Sequence, residues 1–153
     1  MPDDCIYMDN HATTRVDPRV VEAMLPCFSE RYGNPGSINH PFGWEAKDAV
    51  DAARATLARG IGAGEREIVF TSGATESNNL ALKGAAERAR KKGNHIVSLA
   101  TEHKSVLDVL DKLSRRDFAV TLVPVEPIGS QTCGVVDLQR LADALRPDTV
   151  LVS

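Results

Sequence analysis

The sequence lacks long hydrophobic runs and any surplus of positive charge. No apolar stretch reaches the roughly 18 residues that a membrane-spanning helix needs, and the opening residues MPDDCIYMDN are too acidic for a secretory signal peptide. Lysine and arginine number 18 against 21 aspartates and glutamates, which gives a net charge of −3. The composition therefore predicts no membrane or nucleic-acid partner and favours a cytoplasmic location.

Cysteine is also scarce. Cys5, Cys27 and Cys133 are odd in number and far apart, without a CxxC pair or the Cys/His spacing of zinc ligands. Neither a disulfide framework nor a metal site is predicted. Cys133 lies in a polar loop with no neighbouring base or cation to activate its thiol, so we expect an inert surface cysteine there.

The glycine-rich loops that bind nucleotide phosphates are missing. The sequence contains neither GxGxxG nor GxxxxGK[ST]. The glycine-rich segment 60–64 joins the end of a predicted helix to a predicted strand, which is the wrong order for either motif. A Rossmann or P-loop nucleotide site is therefore not indicated.

The elements that are present alternate between helix and strand. Asp17 and Pro18 are typical of a helix start, and Pro26 is expected to break that helix early. The predicted helices cover residues 17–28, 41–61, 74–92, 106–113 and 138–145, and the predicted strands cover residues 5–8, 67–71, 95–100, 119–125 and 149–153. Continuous apolar strands separated by helices predict an α/β fold with a parallel sheet covered on both faces.

The last strand lacks the crossover helix that normally covers a parallel strand. The chain stops at Ser153, directly after the apolar run. We therefore expect the sequence to be truncated.

Residues 67–79, EIVFTSGATESNN, combine a strand, a small-residue turn and a helix start. The first N–H groups of such a helix have no internal partner, so a phosphate binds well there, and Thr75 adds a hydroxyl. The alternative is that Ser72 or Gly73 merely caps the helix of an ordinary βα unit. These residues alone favour capping.

His103 follows the next predicted strand, and ligands of open α/β sheets collect beyond the carboxyl ends of the strands. A phosphate-binding turn and a titratable ring at that edge suit a phosphorylated heteroaromatic ligand. An isolated histidine in this position is more often a loop or capping residue. His11, His40 and His95 are interpreted as structural in the same way.

Four motifs in order resemble the N-terminal part of cysteine desulfurases of the class V aminotransferase family. They are YMDNHATT at residues 7–14, GNPGS at 33–37, FTSGATESNN at 70–79 and TEHKS at 101–105. The resemblance runs over residues 6–153 and covers well under half of a full-length member. The form SGATESNN is similar to the NifS/IscS branch.

The resemblance implies a pyridoxal-phosphate-dependent transferase of fold type I. Residues 1–16 then correspond to a segment associated with the small domain, and residues 17–153 to an incomplete large, cofactor-binding domain. The backbone of Ala74 and the side chain of Thr75 are expected to bind the cofactor phosphate. His103 is expected to stack on the pyridine ring and to assist proton transfer as a catalytic residue.

The implied reaction converts L-cysteine to L-alanine and leaves a persulfide on an enzyme cysteine. A sulfur acceptor or iron–sulfur scaffold then takes the sulfur, and the full-length enzyme is a homodimer. The family's cofactor lysine, its aspartate and its persulfide cysteine lie beyond residue 153, and Lys83, Lys104 and Cys133 do not match them.

The isolated chain is therefore predicted to be inactive. Another class V enzyme or a non-catalytic, truncated ligand-binding module remain alternatives. The loop at residues 127–133 is longer than the family's usual connection, and we assign it no function.

Overall fold

The computed structural model describes residues 5–10 and 12–153, and the chain divides into two compact units, residues 1–69 and 70–153. His11, interpreted above as structural, lies outside the described residues. Within the described part of the chain, no helix is both long and apolar enough to cross a bilayer. The expected domain boundary after residue 16 stays a prediction.

The described residues of the first unit form three helices and one 3₁₀ turn. They are α1 (Pro18–Met24), α2 (Pro26–Ser29), α3 (Pro41–Ile61) and the turn Glu65–Glu67. The carboxylate of Asp17 caps α1 by accepting the Arg19 N–H at 2.8 Å, and the break at Pro26 is confirmed. Helix α3 ends at Gly62, whose φ of 69° is the left-handed conformation that favours glycine.

The GNPGS loop lies directly against the start of α3 through two glycines. A Cβ on Gly33 would lie 2.1 Å from the carbonyl oxygen of Phe42, and one on Gly43 would lie 1.8 Å from that of Ser37. Both distances are far inside van der Waals contact. Any larger residue at either position therefore requires the backbone to move.

The apolar face predicted for α1 and α2 is exposed. Val20, Met24 and Phe28 are 49%, 48% and 73% accessible. These side chains therefore do not belong to a hydrophobic core formed by the described residues. Their helical spacing was predicted correctly.

Two predicted strands are wrong. Residues 5–8 and 67–71 form no strand: Glu67 ends the 3₁₀ turn, and Val69 and Phe70 are 62% and 48% exposed. Ile68 has extended dihedral angles, φ −89° and ψ 125°, but its carbonyl accepts a hydrogen bond from the Arg54 guanidinium. The composition favours an extended backbone here, but no neighbouring strand of the described residues pairs with it, and a strand is defined by that pairing.

The second unit has the predicted alternation of helices with parallel strands. Its elements are α4 (Ala74–Ala89), β1 (His95–Leu99), α5 (Lys104–Ser114), β2 (Ala119–Val123), α6 (Leu138–Asp143) and β3 (Thr149–Val152). The three strands are parallel in the order β2-β1-β3, with His95 opposite Ala119 on one side and Thr149 on the other. β1 is therefore the central strand of this sheet.

The core of this unit lies between α4, α5 and the sheet. It comprises Leu82, Ala86, Ile96, Val106, Val109, Leu110, Leu113 and Phe118. Helix α5 supplies four of these residues at spacings of three and four, which places them on one helical face. Because α4 packs against α5, the core fixes the position of these two helices and of their first turns relative to each other.

His95 is a buried residue of the sheet, in agreement with its structural interpretation. It is 0% exposed, and its ring nitrogens lie 2.7 Å from Thr149 Oγ1 and 2.9 Å from Thr121 Oγ1. The ring therefore links β1 to both neighbouring strands. Burial, and secondarily the charge of Arg146, lower the pKa of His95, and Asp148 opposes this shift.

We expect the folded protein to lose stability through His95 as the pH falls. Its pKa lies below the ordinary 6.5, so at acidic pH the unfolded chain binds a proton that the folded chain excludes. The contribution of neutral His95 to the free energy of unfolding is fully present above pH 6.5. Below that pH it is lost, at no more than about 1.4 kcal/mol per pH unit. Urea unfolding at about pH 7.5 and about pH 5.5 measures the loss, which is expected to be smaller in His95→Gln. Equal losses in the two proteins would contradict the assignment, since the other histidines are common to both.

Candidate functional site

The first turn of α4 presents three unused backbone donors. The helix begins at Ala74, and no side chain caps it at Gly73. The earliest N–H with an acceptor is that of Ser77, which donates to the Gly73 carbonyl at 3.1 Å. The N–H groups of Ala74, Thr75 and Glu76 have no acceptor among the described residues, and they lie at the positive end of the helix dipole.

The turn before α4 is held by side chains of the helix itself. One oxygen of Glu76 accepts both the N–H and the hydroxyl of Ser72, each at 2.7 Å. Thr71 Oγ1 donates to the Gly73 carbonyl at 3.2 Å and lies 2.6 Å from Ser77 Oγ. These bonds fix the turn without using the three free N–H groups. The Ser72 backbone N–H first, then its hydroxyl, lowers the pKa of Glu76.

This terminus fits a phosphate group. The Thr75 hydroxyl is exposed and makes no hydrogen bond to the described residues, so it adds a fourth donor to the three N–H groups. A Cβ built on Gly73 meets no atom within 4 Å, so the space in front of the turn is open. Phosphate oxygens are strong acceptors that need several such donors. Gly73 occupies the N-cap position, as the capping alternative expected, but no side chain caps α4, so the first N–H groups stay available.

His103 lies at the N-cap position of α5. Its Nδ1 accepts the N–H of Ser105 at 3.1 Å and lies 2.8 Å from Ser105 Oγ. The capping interpretation of this histidine is therefore confirmed, and His40 caps α3 in the same way by accepting the Gly43 N–H at 3.2 Å. The ring of His103 is exposed. A cap that uses Nδ1 leaves Nε2 available for another contact.

A hydrogen-bonded link joins the two predicted parts of the site. Asn78 Nδ2, on α4, donates to Ser105 Oγ at 2.8 Å, and Ser105 contacts His103. Asn78 lies three residues after Thr75 in the same helix. The structure thus connects the helix that carries Ala74 and Thr75 with His103. Neither Asn78 nor Ser105 was assigned a role from the sequence, although a polar residue two positions after an N-cap is a common local signal.

The remaining candidate groups do not contribute to this arrangement. Lys83 Nζ donates to Asn79 Oδ1 at 2.6 Å on the surface of α4, and Cys133 is exposed in its loop. Within residues 5–10 and 12–153, no cluster of three histidine, cysteine, aspartate or glutamate side chains has the geometry of a metal site.

The parallel strands and the open helix terminus define an α/β unit of the kind that binds ligands beyond the carboxyl ends of its strands. The family model described as aminotransferase class-V matches residues 6–153. The chain therefore belongs to the aminotransferase class-V family.

Individual relatives are longer than this chain. The cysteine desulfurase IscS of Anaeromyxobacter sp. (strain Fw109-5) is 56% identical over 148 residues, which are 97% of this chain and 35% of the relative. A solved NifS-like protein superimposes with a TM-score of 0.84 at 44% identity, over 96% of this chain and 39% of that one. SspA, solved in complex with cysteine, gives a TM-score of 0.79 at 37% identity, over 95% and 40%. The chain thus spans about a third of the IscS relative's length.

Proposed function

We propose that this chain is the cofactor-phosphate-binding part of a pyridoxal-phosphate-dependent cysteine desulfurase. The observation that carries the proposal is the uncapped first turn of α4, with the exposed Thr75 hydroxyl, in a chain of the class V family. The IscS relative is a desulfurase by name, and SspA was solved with cysteine, which supports cysteine as the substrate.

The residues of the site have distinct roles in this proposal. The backbone of Ala74 and the N–H and hydroxyl of Thr75 bind the phosphate and thereby orient the cofactor. Bound pyridoxal phosphate supplies an electron sink for the negative charge that develops on the substrate. His103 packs against the pyridine ring and exchanges a proton through Nε2, since its Nδ1 is already used by Ser105.

The wider assignments rest on the family resemblance. They are a homodimer for the full-length enzyme, a cytoplasmic location, and transfer of sulfur to an acceptor or iron–sulfur scaffold protein. The lysine, aspartate and persulfide cysteine of the family have no counterpart in the motifs of this chain. We therefore expect the chain by itself to bind pyridoxal phosphate and to form no alanine from cysteine.

A chimera tests the activity. This chain replaces the matching 148 residues of the Anaeromyxobacter relative, which provides the remaining two-thirds of an enzyme. We expect alanine to form from L-cysteine, and we expect His103→Ala to lower kcat by about 100-fold or more, as for loss of a general acid–base group.

The matched control is His40→Ala, which removes a helix-capping histidine of the other unit. A folded chimera that binds pyridoxal phosphate but leaves cysteine unchanged would overturn the proposal. Turnover of a different amino acid by that chimera would instead favour another class V activity.

A further inference from the structure

We propose that Ser105 and Asn78 are positioning residues that hold the His103 ring in one orientation, with its proton on Nε2. The catalytic importance of this arrangement rests on the function proposed above. The arrangement itself is a property of the described residues, and it is testable without cofactor or substrate.

The backbone of Ser105 determines which nitrogen of His103 carries the proton. A backbone N–H is only a donor, and that of Ser105 points at His103 Nδ1 from 3.1 Å. Nδ1 must therefore present its lone pair. In the neutral ring, the proton is then on Nε2, the nitrogen that remains free for chemistry.

The hydroxyl of Ser105 reinforces this choice because its own partner is fixed. Asn78 Nδ2 donates to Ser105 Oγ at 2.8 Å, so the hydroxyl oxygen is used as an acceptor on that side. Its hydrogen is then free to point at His103 Nδ1, 2.8 Å away. All three groups are satisfied by a single direction of donation, from Asn78 to Ser105 to His103.

Burial makes this order of hydrogen bonds selective. Ser105 is only 8% exposed, so water does not compete effectively for its hydroxyl. An alternative ring state with a proton on Nδ1 would place the hydrogen of the Ser105 backbone N–H against that proton, and this N–H, unlike a hydroxyl, cannot turn away. The geometry thus disfavours the other tautomer and also a ring flip that would put Cδ2 in the place of Nδ1.

The position of Asn78 gives the link its functional meaning. It lies less than one helical turn after Thr75, on the helix whose first N–H groups are proposed to bind the phosphate. The same rigid element then determines the place of the phosphate and the orientation of the ring. Any shift of α4 therefore moves the phosphate site and the ring together, which keeps the distance between them constant.

A simple capping role does not require these side chains. The N–H of Ser105 alone completes the N-cap of α5, and alanine at 105 would retain it. The hydroxyl and the Asn78 amide are additional. Their removal is therefore expected to change the ring's hydrogen bonding without removing the cap.

The test is ¹⁵N NMR of the histidine rings in the protein, without cofactor, at about pH 8, where imidazoles are neutral. We expect the unaltered protein to show His103 with an unprotonated, hydrogen-bonded Nδ1. Ser105→Ala and Asn78→Ala are each expected to move the Nδ1 resonance downfield, because a hydrogen bond to that nitrogen is lost or weakened. Ser105→Thr, which keeps a hydroxyl, is expected to restore it.

Ser114→Ala is the matched control, since it removes a hydroxyl at the other end of α5 that donates to the Asp111 carbonyl. A His103 Nδ1 resonance at the position of a protonated nitrogen, or one that is identical in the unaltered protein, Ser105→Ala and Asn78→Ala, would overturn the proposal.

In the chimera, Ser105→Ala is expected to lower kcat roughly fivefold with an unchanged KM, the usual effect of one net hydrogen bond. Because the NMR measurement needs no turnover, its outcome is separate from that of the desulfurase assignment.

Discussion

Pyridoxal phosphate is expected to bind the Thr75→Val variant at least tenfold more weakly than the unaltered chain. Valine keeps the shape of threonine but removes the hydroxyl, a side-chain donor beside the first turn of α4 that has no partner among the described residues. A hydrogen bond to a charged phosphate contributes about 1.5–3 kcal/mol, or roughly a 10- to 150-fold change in the dissociation constant. Equilibrium dialysis or calorimetric titration measures the change.

A second variant tests the same phosphate binding by removing a backbone donor instead of a side-chain donor. Ala74→Pro deletes one N–H at the first helical position, where proline is well tolerated. The preceding Gly73 is already extended, with φ 161° and ψ −179°, so it also accommodates a following proline. We expect a loss of affinity similar to that of Thr75→Val, without unfolding of α4.

The controls separate phosphate binding from other effects. Thr56→Val makes the same chemical change on α3, where the hydroxyl donates to the Ala52 carbonyl, and is expected to leave the affinity unchanged. Pyridoxal, which lacks the phosphate, is expected to bind weakly and equally to all variants. If pyridoxal bound as tightly as its phosphate, the assignment of the α4 terminus would be wrong.

The largest effect on stability is expected from Leu110→Ala, with a loss of about 3 kcal/mol in the free energy of unfolding. Leu110 is 2% exposed and belongs to the cluster between α4, α5 and the sheet. Shortening it removes buried apolar surface and leaves a cavity that close-packed neighbours fill only in part. Urea unfolding followed by circular dichroism measures the difference.

Leu138→Ala is the matched control for this substitution. Leu138 is also helical, at the start of α6, but it is 75% exposed. Its replacement is expected to change the free energy of unfolding by less than about 0.5 kcal/mol. Equal unfolding midpoints for the two alanine variants would show that the described cluster is not the core of the second unit.

Local signals predicted most of the helices and the sheet. The run from His95 is buried at four successive positions, as a central parallel strand should be, and its continuous apolar character made it recognisable. The start of α1 followed from Asp17 and Pro18, and the end of α3 from the glycine-rich segment 60–64, within which Gly62 is the C-cap. In each case the determining chemistry lies within a few residues of the feature that it determines.

Strand pairing was not predictable in the same way. Residues 68–71 have the composition of a strand and an extended start, yet they pair with no strand of the described chain. β-propensity reports how well a side chain fits a pleated surface, whereas pairing depends on distant residues. The same limit applies to residues 5–8.

The candidate site was predicted in its positions but not in its connections. Thr75 and His103 stood out because each follows an apolar run at a turn. The bond between Asn78 and Ser105 joins residues 27 positions apart, and it depends on how α4 packs against α5. The interaction of Glu76 with Ser72 is local in sequence. Its role in holding the turn depends on the lack of a side-chain cap at Gly73, which the sequence does not reveal.

The long loop between β2 and α6 is closed at its base. Val125 and Val136 form an antiparallel bridge, and Glu126 donates to the Val135 carbonyl at 2.9 Å just inside it. Asp137, the next residue, caps α6, so the spacing of strand and helix is set by the bridge rather than by the residues between its ends. Lengthening a loop whose ends are already held together costs only the slowly growing entropy of a larger ring. The loop is therefore a place where evolution can add or remove residues while the sheet and its helices stay in register.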